Sequence, residues 1–417
     1  MTAIENISKI GFGTYRVSLE NPENVNAFNY AIECGCNLID TASTYNDAEL
    51  FVGKYIKETK NAELFIVSKA GYVTADFIKL NGGLIAKLNS ELNTDLNLIN
   101  HCIHPAFLEI QLNNSLRRLG QRYLDVFLIH NPEKYLSGID CNINIERQVA
   151  QSFEFLEKKR KSGLIRFYGI SSNVIQLDTY ENRALNITVY LNILKKIAGA
   201  NEGFKFIQFP YNLEESDASS PNINQRSLIE LARENRLITL SNRPFSMHTK
   251  NLYVRIQDVE TVPPACDEHY CNFTFHKLQS LLVSRLEQLD TPIQLSDIGI
   301  YCAIAEGWNK FTEPEAVYEL FDKEFVEFIN VVYDYDIPAD IRALINDLRE
   351  FILKSTDQNI KRNSLEYKAK YYKENDIPDH SLSFNHHACV HYFRSGIDHV
   401  LVGMTRRKYV EHLKRLF

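Results

Sequence analysis

The feature that most constrains this chain is an alternation. Short apolar runs are separated by longer segments of helical period along most of its length, the pattern of βα units around a parallel sheet. Runs at residues 7–13, 37–40, 64–69, 124–130, 167–173, 204–209, 237–240 and 400–403 predict eight strands. Helices are expected between them at about 24–34, 47–59, 146–162, 184–198, 225–235 and 382–394, with a last one at 408–415. Another follows from Leu108, Leu112, Leu116 and Leu119 on one face. Eight βα units in one chain predict an α/β fold of the (β/α)8, or TIM barrel, type, whose functional groups gather at the carboxyl ends of the strands. Two stretches break the rhythm. Residues 71–104 read as a long polar, irregular connection, and 245–380 as a mostly helical insertion with amphipathic segments at 277–289 and 339–353. The expected organisation is strands 1–7 in residues 1–244, the helical insertion in 245–380, and strand 8 with its flanking helices in 381–417.

The strand ends share a form. They carry Thr14, Asp40, Lys69, His130, Ser171, Gln208, Ser241 and Gly403. In a strand packed on both faces a charged residue is expected only where the chain leaves the core. Asp40 ends an apolar run abruptly, and Tyr45 follows five residues later. Aspartate, tyrosine, lysine and histidine from successive ends suggest proton transfer. A free tyrosine, with a pKa of about 10, is a poor acid at neutrality, but a neighbouring ammonium lowers that value. Lys69 could supply the ammonium, held by Asp40, while His130 could hydrogen-bond a substrate oxygen or the tyrosine. No G-x-S-x-G elbow is present, and no cysteine ends a strand beside a histidine. An acid without a nucleophile suits hydride transfer to a carbonyl, with an external cofactor supplying the hydride. The alternative is structural, with Asp40 and Lys69 a plain ion pair at the barrel mouth.

These motifs resemble the aldo-keto reductase family over nearly all of the barrel. Gly11-Phe12-Gly13-Thr14-Tyr15 is similar to its first strand end, and Asp40-Thr41-Ala42-Ser43-Thr44-Tyr45, followed by Glu49 and Gly53, to its Asp-to-Tyr motif. Lys69 stands where the family has a catalytic lysine. Leu119-Gly120 through Tyr123-Leu124-Asp125 to Leu128-Ile129-His130-Asn131-Pro132-Glu133 resembles the stretch ending in the catalytic histidine. The resemblance implies Tyr45 as general acid, Lys69 and His130 tuning it, and Asp40 paired with Lys69. It also implies a nicotinamide cofactor, NADPH with NADH not excluded, bound without a Rossmann domain and lying against Thr14, Tyr15 and Asp40. Ser171, Ser172 and Gln208 would hold the carboxamide, with Asn173 an alternative to Ser172, and Tyr211 would stack on the ring. Ser241 to Arg243 would line the pyrophosphate. Gly403, Thr405, Arg406 and Arg407 would meet the adenosine phosphate, where arginines favour a 2′-phosphate. The two arginines could instead cap a helix or face solvent.

This chain departs from the resemblance in three places. The arginine and Glu-Asn pair often found around Tyr409, His412 and Leu413 are missing. The residues before the first strand are fewer than the family's usual floor hairpin. The stretches 71–104 and 245–380 exceed the loops that normally shape the substrate pocket, so the substrate does not carry over.

Composition excludes other classes. The 417 residues are 45% hydrophobic and 24% charged, and a net charge of −7 with no basic tract argues against nucleic acid. No window approaches a membrane span, and the first residues have no secretory pattern, so a cytoplasmic protein with reduced thiols is expected. Cys266-Asp267-Glu268-His269-Tyr270-Cys271 and His386-His387-Ala388-Cys389-Val390-His391 contain ligand types, but neither has a standard zinc spacing, and no metal is expected. The leading function is NAD(P)H-dependent reduction of a small-molecule aldehyde or ketone. The alternative is a nucleotide-binding scaffold or sensor that engages a protein partner through 245–380.

Overall fold

The computed structural model describes residues 3–59, 63–93, 95–134, 145–177, 185–197, 203–248, 253–256, 261–262, 267–289, 294–375 and 382–417. Eight parallel strands close into a barrel. They are β1 (Ile10–Gly13), β2 (Leu38–Asp40), β3 (Phe65–Ala70), β4 (Leu124–His130), β5 (Ile165–Ser171), β6 (Phe204–Pro210), β7 (Ile238–Asn242) and β10 (His399–Val402), with a separate antiparallel hairpin, β8 (Ser246–His248) and β9 (Tyr253–Arg255), preceding the last. The order around the barrel is β1-β10-β7-β6-β5-β4-β3-β2.

The barrel's lower interior is filled by Leu38, Phe65, Val67, Val126, Leu128, Phe206, Leu240 and Leu401, and Ile4 and Ile7 pack against that cluster. Large side chains there are accommodated by glycine elsewhere. A Cβ on Gly169 would lie 1.7 Å from the Phe206 carbonyl oxygen, so only glycine lets β5 approach β6 at that level, where the register shifts. Gly53 does the same between helices, since a Cβ would meet the Arg118 carbonyl at 2.2 Å.

The helices begin and end where local chemistry dictates. Pro22 opens the helix Pro22–Glu33 with the Asn21 side chain capping it, and Ser227 and Glu230 form a reciprocal capping box on Leu228–Glu234. Gly120, with φ of 64°, closes Pro105–Leu119 in the left-handed conformation. The segment expected to be irregular at 71–104 instead carries three short helices, Ala75–Leu80, Gly82–Leu92 and Leu96–Ile99. Thr74 and Asp95 cap the first and third, and Phe77, Ile85, Leu88, Leu92 and Leu96 are buried. Its apolar residues are too thinly spread among Asn, Gly and Lys to read as helix without the surface they cover.

The chain's contacts divide it into two compact units, Met1–Pro244 with Asn385–Phe417, and Phe245–Phe384. The second has its own apolar core, drawn from the helices Glu268–Gln288, Gly299–Gly307 and Ala339–Asn375 and from a π-helical segment at Tyr318–Phe325. There Phe275, Tyr301, Phe321 and Phe325 pack ring on ring, and Arg349 grips Asp322 through two bonds of 2.7 Å. The helix at its end runs 37 residues, far past the amphipathic stretch at 339–353. The described residues give no support to a protein partner for this unit. No helix among them is long and apolar enough to cross a membrane.

Candidate active site

Register levels the polar strand ends. Gly13 stands beside Asp40, and His130, Ser171 and Gln208 are neighbours across β4, β5 and β6. The sequence placed each at the end of its own apolar run, and closure of the barrel turns those ends into one mouth.

Lys69 is fully buried. Its Nζ donates to Asp40 Oδ1 at 2.5 Å and to the Thr41 carbonyl at 2.9 Å. Burial lowers the Lys69 pKa, and the Asp40 carboxylate opposes that loss by holding the ammonium. Gln208 Nε2 donates to the same Asp40 oxygen at 2.8 Å, while Gln208 Oε1 accepts from Ser171 Oγ at 2.8 Å. A four-residue chain therefore crosses the mouth from Lys69 through Asp40 and Gln208 to Ser171. Thr14 Oγ1 ties β1 to it by donating to the Asp40 carbonyl at 2.9 Å.

Tyr45 stands over this chain. Lys69 Nζ is 5.1 Å from the centre of its ring, and the rings of Tyr15 and His130 meet it edge-on at 5.0 and 6.1 Å. Tyr45 is only partly covered as a residue, yet burial around its hydroxyl, then the Asp40 charge, push its pKa well above 10. That differs from the expected lowering by Lys69: desolvation of the phenolate outweighs the ammonium, so Tyr45 keeps its proton. Burial and the Lys69 charge hold the His130 pKa well below 6.5, so its imidazole is neutral.

The expected cofactor residues fall into three places. Ser171, Ser172, Gln208 and Tyr211 are buried around the mouth, and Tyr211 lies edge-on to Tyr392 at 5.7 Å. Asn173 Oδ1 accepts from Arg243 at 3.2 Å, and its own N–H donates to Glu133 at 2.8 Å. Arg243 is left-handed (φ 51°) just after β7, beside buried Ser241. Beyond β10, Gly403 is exposed, and the Thr405 carbonyl accepts from Asn24. Arg406 faces Glu23 at 3.5 Å, and Arg407 lies 3.9 Å over the Tyr30 ring with Glu411 at 4.0 Å. Both arginines thus already have neighbours on or near the helix Pro22–Glu33.

Ser241 Oγ, Asn242 Oδ1, Ser43 Oγ and His130 Nδ1 are buried with no protein partner among the described residues. A buried polar atom left unpaired costs about 1–3 kcal/mol. Their gathering at the ends of β2, β4 and β7 and in the turns beyond fits a polar ligand lying across the mouth. Sequence reasoning did not single out Tyr72 and His101, which lie against His130. Tyr72 and His101 sit in the segment read as irregular, where Gly71 directly after a strand end was the available signal. Among the described residues no group of three or more metal-binding side chains converges. Cys266 lies outside the described residues.

Fold and site define a (β/α)8 barrel with a Tyr-Lys-His-Asp cluster at the carboxyl ends of its strands. The model of the Aldo/keto reductase family matches residues 9–194, from just before β1 to the helix ending at Leu194. Over those residues the chain is similar to the aldo-keto reductase family. It is 26% identical over 249 residues to an aldo-keto reductase of Bacillus subtilis, covering 57% of this chain and 58% of that one. It is 28% identical over 183 residues to an NAD(P)H-dependent D-xylose reductase of Scheffersomyces stipitis, covering 39% and 48%. Among solved structures, the holo form of an aldo-keto reductase from Bacillus halodurans matches at 20% identity and a TM-score of 0.39, covering 56% and 61%. The chain spans from 41% to 65% of the length of the first curated relatives it matches.

Proposed function

We propose that the barrel reduces an aldehyde or ketone to the alcohol with a nicotinamide dinucleotide, NADPH with NADH not excluded. The observation that carries this reading is the buried chain Lys69–Asp40–Gln208–Ser171 set directly beside Tyr45 and His130. The family match and the NAD(P)H dependence in the name of the matched xylose reductase support it.

When bound, the dinucleotide supplies a hydride to the carbonyl carbon. Every other task falls to the chain. Ser171, Gln208 and Ser172 or Asn173 would hold the carboxamide, and Ser241, Asn242 and Arg243 the pyrophosphate. Gln208 suits its part, because its bonds to Asp40 and Ser171 leave one amide hydrogen. Tyr45 donates its phenolic proton to the substrate oxygen as charge develops there. Its raised pKa keeps that proton in place until then, and Lys69 offsets the charge of the phenolate left behind. His130, neutral, gives a hydrogen bond to the same oxygen without competing as the acid. Asp40 keeps Lys69 charged despite its burial.

The test is fluorescence titration with NADPH and then NADH, followed by cofactor oxidation with a panel of aldehydes, ketones and sugars. Tyr45→Phe is expected to lose turnover by roughly 10²–10⁴-fold with cofactor affinity nearly unchanged. Normal turnover in that variant removes Tyr45 as the acid. Nucleotide binding without turnover in the unaltered protein would favour the scaffold reading instead.

A further inference from the structure

His130 is the last residue of β4, and its main chain runs out of strand partners there. On the β5 side, the next amide, Asn131 N–H, still donates to the Ser171 carbonyl at 2.6 Å. On the β3 side the ladder stops at Ala70 and Ile129, one residue short. The His130 carbonyl on that side is taken by a side chain instead, at 2.7 Å from His101 Nε2. A carbonyl only accepts, so Nε2 of His101 carries the hydrogen. Burial pushes the His101 pKa down to about 4, which keeps the ring neutral, with its one N–H at Nε2.

Three further features serve this one contact. Gly71 stands where a Cβ would come within 2.4 Å of the His130 carbonyl oxygen and 2.6 Å of His101 Nε2, so any larger residue would block the approach. Residues 72 and 101 form an antiparallel bridge, reinforced by Cys102 N–H to the Gly71 carbonyl at 2.7 Å and Val73 N–H to the Asn100 carbonyl at 2.9 Å. Tyr72 closes the clamp. Its ring is edge-on to His130 at 5.1 Å and to His101 at 5.3 Å, and its hydroxyl accepts from Asn131 Nδ2 at 2.7 Å. Asn131 is left-handed (φ 48°), a conformation that this side-chain bond helps hold.

We propose that His101 and Tyr72 are positioning residues for His130: the segment between β3 and the helix at Pro105–Leu119 serves the site by clamping the His130–Asn131 peptide and hence the aim of the imidazole. The proposal rests on the reductase reading, in which His130 meets the substrate oxygen. An imidazole turned by a few tenths of an ångström loses its hydrogen bond to a developing charge, and such misplacement is felt in kcat.

The experiment pairs kinetics with NMR of the protein carrying 15N-labelled histidine. In His101→Phe, kcat should fall roughly 10- to 100-fold at unchanged NADPH affinity, with the His130 ring signals shifted or broadened. His101→Gln, whose amide hydrogen can reach the same carbonyl, should recover most of the loss. Tyr72→Phe keeps the ring and removes only the acceptor for Asn131. It should give a smaller loss and the same NMR change, and it keeps the test open if His101→Phe does not fold. Folded His101→Phe and Tyr72→Phe proteins with native His130 signals overturn the proposal, as does a loss in His101→Phe that His101→Gln does not restore. If the unaltered protein binds nucleotide but reduces no carbonyl, the reductase reading fails, and the NMR comparison still decides whether the clamp holds His130.

Discussion

At the scale of single residues, burial decides more than proximity. Tyr45 lies near an ammonium and is still pushed away from ionisation, because a phenolate loses more by leaving water than it gains from Lys69. His101 shows the same force in a measurable way. Its pKa falls from 6.5 to about 4 on folding, so above pH 6.5 it is neutral in both states and its contribution to stability is intact. Below 6.5 the unfolded chain takes up a proton that the folded one refuses, and stability drains away until about pH 4. The shift corresponds to about 3 kcal/mol over that window. Urea midpoints measured from pH 7 to 4.5 should fall steeply, and His101→Gln should flatten part of the slope. An unchanged slope would remove His101 from the account. Asp40, Lys69 and His130 were legible because each stops an apolar run, and Tyr45 followed from its spacing to Asp40. Gln208 was legible as a strand end, but not as the residue joining Asp40 to Ser171, since that bond spans 168 positions.

At the scale of elements, glycine marks where backbones touch. Gly169→Ala puts a methyl group 1.7 Å from the Phe206 carbonyl, an atom that moves only if two strands part. We expect a loss of about 3 kcal/mol or more in denaturant unfolding. Gly83, inside Gly82–Leu92 with nothing within 4 Å of the added atom, is the contrast. There alanine should stabilise by roughly 0.5–1 kcal/mol through helix propensity. Equal effects at the two positions would show that close packing is not what selects glycine at 169. The strands were legible as apolar runs, whereas the three helices within 71–104 were not. They are short and weakly patterned, and nucleating such helices needs tertiary contacts that a local window does not contain.

For the molecule as a whole, each of the two units has its own core. Phe325 is fully buried among Phe275, Tyr301 and Phe321. Phe325→Ala should cost about 3–5 kcal/mol within that unit. Hydrogen exchange should localise the damage to residues 268–375, while the amides of β3, β4 and β5 keep their protection. Loss of protection across the barrel strands at the same time would mean that the two units unfold as one. The insertion was legible as helical from its leucine spacing, although its last helix runs on through polar residues to Asn375, where no apolar stripe marked it.

The sequence by itself determined the barrel, because eight apolar runs alternating with helical periods have few other ways to bury both faces of a parallel sheet. It also determined which residues stand at the strand ends, because a charge interrupting such a run has nowhere else to go. Only the tertiary structure decided which of those ends touch, that Tyr45 is held protonated, and that a histidine from the segment after β3 grips the carbonyl of His130. Those outcomes depend on distances between residues remote in sequence and on how much water each group loses, and neither quantity exists until the barrel closes.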